Sequence, residues 1–373
     1  MSLCLLKKYD MDMTDSVAFT TLSSRPGGCL GEQLHELKVA LRSWMTEKGL
    51  TPADLLQTRV YLTDAANQWK ELRSHPLYAC YLSLGAVSYV EQPLLDGSKV
   101  ALQLWFCTRP GLKKRGTPEC MTAEWDDVKL LFHSVRFDAS EVRGLAAEEQ
   151  TRLAFERHCA LLAERGLTLE ANCHRTWIYV RDIDRHYAGV VAGRNAFFAR
   201  QGLTPQTHYI ASTGIEGYPD NAEAVVSMDF LSVYGQGVGL IKYLHAPDYL
   251  NPTHEYGVAF ERGTAVGLPM GRFLFISGTA SIDRHGECLY RGDVSAQTER
   301  LFLNIEKLLQ DGSAALSDLR YMIIYLRDVA DRETVGRYME KHFPDTPYLL
   351  TAARVCRPEW LIEVEGIAVV PET

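Results

Sequence analysis

The sequence has little that would suggest a membrane, a metal or a nucleic acid. No apolar run approaches the ~20 residues that cross a bilayer. The nine cysteines contain no CxxC pair, so neither a disulfide scaffold nor a zinc ribbon is indicated. The eleven histidines show no HxH or HxxxH spacing, which leaves no readable metal site. With a net charge of −8 over 373 residues, the chain lacks the positive excess of a protein that binds nucleic acid.

The composition is that of an ordinary globular protein, with 46% hydrophobic and 23% charged residues. It excludes a disordered chain, which would lack the apolar side chains that offset the entropy of ordering. Residues 1–8 are too short and too soon charged for a secretory signal peptide. We therefore expect a cytoplasmic protein that binds neither membrane nor nucleic acid.

Internal repetition is the main signal in what is present. Three segments alternate apolar and polar residues, carry a tyrosine at the second position and end at an aspartate, which is typical of a half-buried strand stopped by a turn. The segments are 60–64, 178–182 and 324–328. Each follows an amphipathic helix pattern that opens near a glutamine, 31 or 32 residues before the aspartate; these are Gln33, Gln150 and Gln297. Three such matched offsets indicate three copies of one unit.

The repeats predict an α+β fold. They divide the chain into a first unit at 16–108, a linker at 109–126, a second unit at 127–236 and a third unit at 254–371. Each unit reads as hairpin strands, helix, strand, helix and a closing apolar strand, which is one sheet with two helices on one face. Because such a layer leaves its other sheet face open, we expect three faces to pack around a pseudo-threefold axis within a monomer. The sequence leaves open whether such monomers associate weakly with one another.

Three stretches of the third unit, 273–282, 292–298 and 362–369, carry a family resemblance. They resemble the YjgF, or reactive-intermediate-deaminase, superfamily, whose members are small homotrimers of a chorismate-mutase-like unit with ligand clefts between neighbouring sheets. The resemblance covers almost all of the third unit and, more weakly, the other two. Tyr348 stands where the deaminases carry a carboxylate-binding arginine. Enamine or imine deamination is therefore a second hypothesis, and a non-catalytic metabolite-binding module is a third.

A closer resemblance rests on five motifs. They are 175–179 (RTWIY), 193–195 (GRN), 213–215 (TGI), 277–282 (SGTASI) and 356–363 (CRPEWLIE). They resemble the chorismatases, which cleave the dianion chorismate into pyruvate and a hydroxybenzoate or a dihydroxylated diene acid. The resemblance implies that Glu363 is the catalytic acid and that no cofactor is needed. It also implies 3-hydroxybenzoate as the product, because Cys356, seven residues earlier, and Gly278 go with that subtype. The first unit lacks these motif residues and is expected to be structural.

The chemistry of the reaction sets further expectations at the interface of the second and third units. An enol ether is cleaved by protonating its terminal methylene carbon, so the acid must stay un-ionised near neutral pH. Glu363 stands in an apolar run, where desolvation would raise its pKa; the alternative is an edge residue facing solvent. Two substrate carboxylates need cationic partners, and the planar guanidinium matches a carboxylate. The candidates are Arg175, Arg194, Arg262 and Arg354.

Smaller residues complete the expected site. Turn residues that bring backbone N–H groups close to an anion are Thr213, Gly214, Gly278 and Thr279. Tyr179 either donates a hydrogen bond or packs in the core. Cys356 is expected to assist after pyruvate departs, with its thiol made more acidic by the neighbouring Arg357; the alternative is a small buried apolar side chain.

Overall fold

A computed structural model describes residues 16–371 of the chain. Residues 1–8, on which the signal-peptide argument rests, lie outside this range. Three sheets succeed one another along the chain, and each is accompanied by helices. In the described part of the chain, no helix is long and apolar enough to cross a membrane. The prediction of three α+β units is confirmed.

The first unit has a four-stranded sheet in the order β1-β4-β2-β3. Its elements are β1 (Val17–Ser23), α1 (Leu30–Glu47), β2 (Leu55–Leu62), α2 (Ala65–Ser74), α3 (Pro76–Cys80), β3 (Ala86–Glu91) and β4 (Val100–Cys107). The closing strand β4 lies antiparallel between β1 and β2, and β3 extends the sheet parallel to β2. Helix α1 presents leucines at a helical spacing to this sheet, which is why it is amphipathic.

The second unit has six strands in the order β5-β6-β7-β10-β8-β9. Its elements are β5 (Lys113–Thr117), β6 (Cys120–Trp125), β7 (Val128–Val135), α4 (Ala139–Val142), α5 (Ala147–Ala163), α6 (Leu169–Asn172), β8 (Cys173–Val180), α7 (Ile183–Arg200), β9 (Ala211–Glu216) and β10 (Val226–Tyr234). The linker expected at 109–126 instead contains β5 and β6, which pair with each other and with β7. The basic residues Lys113, Lys114 and Arg115 lie on β5, the edge strand of this sheet, where charge discourages pairing with another chain.

The third unit repeats this six-stranded arrangement in the order β11-β12-β13-β16-β14-β15. Its elements are β11 (Ile241–Tyr243), β12 (Gly263–Leu268), β13 (Gly271–Thr279), α8 (Val294–Asp311), β14 (Leu319–Leu326), α9 (Arg332–His342), β15 (Tyr348–Ala352) and β16 (Ile362–Val370). Strand β11 starts this unit earlier than the expected residue 254. Between Ile276 and Thr279, β13 bulges away from regular pairing with β16.

The repeated glutamine has a structural role in every unit. The side-chain oxygen of Gln33 accepts from the N–H of Lys99, that of Gln150 from Val225, and that of Gln297 from Leu361. Each recipient lies at or next to the start of the closing strand. In every unit, the helix that carries this glutamine therefore anchors the closing strand at the centre of its own sheet. In the third unit the anchored residue, Leu361, lies two residues before Glu363.

The three sheets close into a ring. The parallel edge strand of each unit contacts a strand of the next: β3 contacts β7, β9 contacts β13, and β15 contacts β1. The inner sheet faces meet in a common core that includes Tyr61, Tyr179 and Tyr325, the tyrosines of the three repeated segments. Equivalent residues thus surround one axis, as expected for a pseudo-trimer built from a single chain.

Charged side chains lie at this axis, and we call them the axial network. Its members are Arg59, Arg136, Arg175, Asp229 and Glu365, which come from all three units. Arg59 lies 3.6 Å from Asp229 and 3.5 Å from Glu365, Arg136 lies 2.9 Å from Asp229, and Arg175 lies 2.6 Å from Glu365. Every buried arginine of the network therefore has a carboxylate partner.

Candidate active site

A cavity lies between the second and third units. Its empty space, counted together with the part that opens to solvent, is about 480 Å³. Its lining residues are Tyr187, Arg194, Ser212, Gly214, Tyr256, Val258, Phe260, Arg262, Gly278, Ala280, Ile282, Cys356, Arg357, Trp360 and Glu363. Helix α7 and strand β9 supply one wall. The loop before β12, the bulge of β13 and the segment before β16 supply the other.

Glu363 is the carboxylic acid of this cavity. It lies on β16 opposite Tyr325 and is only 3% exposed. Among the described residues, no donor forms a hydrogen bond with its carboxyl group. Burial, and secondarily the charge of Glu365, raises the pKa of Glu363 to about 8. The group is therefore mostly un-ionised at neutral pH, which is the state a general acid needs.

The other two units have no acid at the matching position. The strand register places Ala101 opposite Tyr61 in the first unit and Ser227 opposite Tyr179 in the second, where the third unit has Glu363 opposite Tyr325. Of the three equivalent strand positions, the one in the third unit therefore carries the carboxyl group.

Gly278 makes room for the acid. A Cβ atom at this position would overlap the Glu363 Oε1 and lie 2.7 Å from its Cδ. Such distances are far inside van der Waals contact, so any larger residue would displace the carboxyl group. The bulge of β13 also turns the N–H of Gly278 toward the second unit, where it donates to Thr213 Oγ1 at 3.0 Å. The glycine is required here for space, since its backbone φ is not in the left-handed region.

Three arginines line the cavity without an acidic partner. Arg194 and Arg262 are only 1% and 5% exposed. None of Arg194, Arg262 and Arg357 forms an ion pair with any described carboxylate. The Nε and Nη2 atoms of Arg194 have no hydrogen-bond partner, whereas Arg262 donates to Asn251.

Aromatic rings separate these cations. Phe260 lies 5.8 Å from the Arg194 guanidinium and 5.4 Å from that of Arg262. Tyr256 lies 5.4 Å from Arg262 and 5.7 Å from Arg357. Such contacts offset part of the cost of burying a cation. The remaining positive charge favours an anion, and a dianion would suit three guanidinium groups.

Cys356 faces the cavity as a thiol. Burial, followed by the nearby Glu363, raises its pKa to about 12. The expectation of a more acidic thiol is therefore wrong, because desolvation outweighs the effect of Arg357. Tyr187 of α7 interacts with the thiol, and its ring can approach because residue 214 is glycine, whose missing Cβ would lie 3.2 Å from the ring.

Comparison with known proteins begins with the third unit. A family profile described as Endoribonuclease L-PSP matches residues 259–370. A RutC family protein of Pyrococcus abyssi is 30% identical over 103 residues, which are 27% of this chain and 81% of that protein.

Two proteins of Streptomyces hygroscopicus are similar over longer stretches. One, named chorismatase, is 30% identical over 216 residues, 52% of this chain and 60% of that protein. The other, named 3-hydroxybenzoate synthase, is 29% identical over 243 residues, 59% of this chain and 69% of that protein. The chain belongs to the chorismatase family of the L-PSP/RutC superfamily.

The chorismatase fold extends over nearly the whole chain. A crystal structure of a chorismatase at 1.08 Å superposes with a TM-score of 0.64, covering 85% of this chain and 93% of that one. Sequence identity over this superposition is 21%, so the likeness concerns the fold. The uncovered 15% of the chain is shorter than the first unit, so the superposition extends into that unit, which carries none of the motif residues.

Six residues expected in the site of this chorismatase-family protein line the cavity together. They are Arg194, Gly214, Arg262, Gly278, Cys356 and Glu363. Thr213 lies just behind the wall, between the guanidinium of Arg175 and the N–H of Gly278. Thr279 is buried and donates to the carbonyl of Ser277. For Thr213 and Thr279, direct contact with a ligand stays a prediction.

The other expected residues lie outside the lining. Arg175 belongs to the axial network, and Tyr179 is fully buried in the common core. Arg354 has a side chain that is 51% exposed and lies near Asp184 and Glu216. Because these three residues do not line the cavity, their assignment to substrate binding stays a prediction.

Sequence reasoning missed several lining residues. Tyr187 lies seven residues, about two helical turns, before Arg194, so the two share a face of α7. Arg357 is next to Cys356, and its position in the motif was a usable signal. Tyr256 carried no signal, because its loop reaches the cavity only through the fold: Asn195 of α7 binds the carbonyl of Gly257 and the N–H of Ala259.

No metal site accompanies this geometry in the described residues. Across 16–371, no group of three or more histidine, cysteine, aspartate or glutamate side chains is arranged to hold a metal ion. The lining itself offers one carboxylic acid for proton transfer and guanidinium groups for anion binding.

Proposed function

We propose that the protein cleaves chorismate to pyruvate and 3-hydroxybenzoate. The observation that supports this most is the buried carboxyl group of Glu363, whose pKa is raised by that burial, in a cavity that also contains three arginines without acidic partners among the described residues. A protonated acid and surplus positive charge are what an enol ether with two carboxylates requires. The two named relatives from Streptomyces hygroscopicus support the same substrate and product.

Proton transfer from Glu363 is the first chemical step of this proposal. The proton goes to the terminal methylene carbon of the enolpyruvyl group and leaves an oxocarbenium-like centre on the neighbouring carbon. The carboxylate of Glu363 that remains stabilises this positive charge. The carbon–oxygen bond to the ring then breaks, with pyruvate as the leaving product.

Aromatisation of the ring completes the reaction and balances its atoms. Pyruvate and 3-hydroxybenzoate together contain the same atoms as chorismate, so no water or oxidant is consumed. The hydroxyl oxygen on the neighbouring ring carbon forms a bond to the carbon that pyruvate leaves, and its proton goes to Glu363, which restores the acid and gives an arene-oxide-like intermediate. The bond from this oxygen to its original carbon then breaks, and the proton on the carbon that keeps the oxygen is transferred to the oxygen, which gives the aromatic 3-hydroxybenzoate. The neutral thiol of Cys356 lies near this acid and acts by steering the ring intermediate toward the 3-hydroxy isomer.

Different arginines bind the two carboxylates of chorismate in this proposal. Arg194, with two unpartnered nitrogens, is the natural bidentate partner for one of them. Arg262 and Arg357 share the second. Each is backed by an aromatic ring, so their positions are fixed before the substrate arrives, which lowers the entropic cost of binding.

We further propose that one chain is the functional unit and that it works in a reducing cytoplasm without nucleic acid. The interface that forms the cavity lies within the chain, so a second copy is not needed to complete the site. The eight cysteines in the described residues are all free, as a reducing compartment would allow.

Incubation of the purified protein with chorismate tests the proposal. Pyruvate is followed by coupling to lactate dehydrogenase, and the aromatic product is identified by chromatography against the hydroxybenzoate isomers and the diene acid. We expect equal amounts of pyruvate and 3-hydroxybenzoate. Absence of pyruvate contradicts the proposal, and a diene acid instead of an aromatic product contradicts the role of Cys356.

The same preparation discriminates the two other hypotheses. A deaminase would shorten the lifetime of 2-aminoacrylate, which semicarbazide traps. A binding module would hold chorismate in calorimetry without releasing pyruvate.

A further inference from the structure

Glu365 lies two residues beyond Glu363 on β16, so the two side chains point to the same face of the strand. Its own carboxylate is fully occupied. Oε2 lies 2.6 Å from Arg175 Nη2, Oε1 accepts from the indole N–H of Trp177 at 2.9 Å, and Arg59 Nη1 lies 3.5 Å from Oε1. Donors from the first and second units therefore hold a carboxylate of the third unit beside the candidate acid.

Arg175 connects this carboxylate to the other side of Glu363. Its Nη2 also donates to Thr213 Oγ1 at 2.6 Å, and the same oxygen accepts from the N–H of Gly278 at 3.0 Å. Gly278 is the residue whose missing Cβ accommodates the Glu363 carboxyl group. The Arg175–Glu365 pair thus reaches Glu363 along the strand and through the bulge.

We propose that Arg175 and Glu365 are a positioning pair for Glu363 and that neither touches the substrate. This inference rests on the proposed function. Both residues are 1% exposed and neither lines the cavity, and the Arg175 guanidinium lies over the Trp177 ring at 4.7 Å. The pair acts on the reaction by fixing the place and the electrostatic surroundings of the acid.

The expected sign of the electrostatic effect follows from the charges around Glu363. The ionisable groups near it are Glu365, Arg175, Arg194, Arg262, Arg357, Cys356, Tyr187 and Tyr325. The negative charge of Glu365 raises the pKa of Glu363, whereas Arg175 and Arg262 lower it. Replacing Glu365 with glutamine removes the first effect and frees Arg175 from its partner. Both changes lower the pKa of Glu363.

The pH profile of kcat/KM for pyruvate release measures this effect. Wild type should lose activity as pH rises through about 8, because Glu363 loses its proton. In Glu365→Gln we expect that alkaline limb to move to lower pH by about one unit, the usual size for loss of a neighbouring like charge. At pH 6 the acid is protonated in both proteins. The KM of Glu365→Gln at this pH should stay within about twofold of the wild-type KM, because the substitution removes no contact with the substrate.

Asp229→Asn is the matched control. Asp229 faces Trp177 across the second sheet, as Glu365 faces Ile323 across the third, and both are buried carboxylates of the axial network. The control should leave the alkaline limb in place. An unchanged limb in Glu365→Gln, an equal shift in both variants, or a raised KM at pH 6 in Glu365→Gln overturns the inference.

Two further measurements separate this inference from the proposed function. If wild type releases no pyruvate, the proposed function fails, but the positioning pair can still be tested without turnover. The pKa of the Glu363 carboxyl group is then measured by infrared titration, with the spectrum of Glu363→Gln subtracted to isolate its signal. We then expect the same downward shift of the Glu363 pKa in Glu365→Gln.

If Glu365→Gln does not fold, Thr213→Val provides a second test, because it breaks the link between Arg175 and Gly278. It should lower kcat and leave KM unchanged, and a raised KM contradicts the inference.

Discussion

Two groups of buried arginines differ in what surrounds them. In the axial network, Arg59, Arg136 and Arg175 each lie within 4 Å of a carboxylate. At the cavity, Arg194 and Arg262 are about as deeply buried but have no acidic partner in the described residues. A buried cation without a partner costs stability, so a fold retains it only where something else uses the charge. The axial arginines hold the three units together, whereas the cavity arginines are available to a ligand.

The two carboxylates of β16 divide in the same way. Glu365 is paired with Arg175, and Glu363 has no paired cation and carries a proton. Glu365 thus belongs to the axial network, and Glu363, two residues away on the same strand, belongs to the cavity. Four substitutions test whether this division is real.

Glu363→Gln should have the largest effect on turnover. It keeps the shape of the side chain and removes the transferable proton, so kcat for pyruvate release should fall roughly 10³-fold, the usual contribution of a general acid. Glu333→Gln is the control, because Glu333 lies on α9 with a side chain that is 88% exposed. Full activity in Glu363→Gln would remove the acid from the mechanism.

Arg59→Met should have the largest effect on stability. It leaves Asp229 and Glu365 buried with one partner fewer, which typically lowers the free energy of unfolding by about 3–5 kcal/mol. Urea denaturation followed by circular dichroism measures it. A loss below about 1 kcal/mol, the range of an exposed ion pair, would mean that the axial network does not hold the units together.

Arg194→Met should act in the opposite way. It removes a buried charge with no partner, so the melting temperature should stay the same or rise, while KM for chorismate rises about 10- to 100-fold through loss of charge-assisted hydrogen bonds. Arg194→Lys should restore only part of the affinity, because lysine lacks the planar fork. A melting temperature lowered as much as in Arg59→Met would erase the distinction between the two groups.

Gly278→Ala should have the smallest effect of the four, confined to kcat. The added methyl group overlaps the Glu363 carboxyl group and moves it, which should lower kcat about tenfold, as expected for a misplaced catalytic group. Gly336→Ala on α9 is the control, because a Cβ there meets nothing within 4 Å. Equal kinetics in the two variants would show that Gly278 does not set the position of the acid.

The fold was accessible from the sequence because its signals are local and repeated. The tyrosine segments and the glutamine offsets identify each unit, and the glutamines prove to anchor the closing strands. The linker was misread since Lys113, Lys114 and Arg115 resemble a loop in composition, and only pairing with β6 makes them a strand. Pairing across a sheet is not visible in a single segment.

The site was accessible only in part. Glu363, Cys356 and Gly278 came from family resemblance, and all three line the cavity. Among the arginines, sequence could not separate Arg194 from Arg175, because the difference is whether a carboxylate of another unit lies alongside. That information belongs to the packing of three sheets, as does the position of Tyr256.

Joining three subunits in one polypeptide has a consequence for how such a site can arise. In a homotrimer every substitution appears three times, so an acid introduced into one groove enters all of them, along with its electrostatic cost. In the fused chain, alanine, serine and glutamate occupy the same position in successive copies. The proposed acid can therefore be introduced into one unit alone, and the other two units are spared the electrostatic cost of burying it.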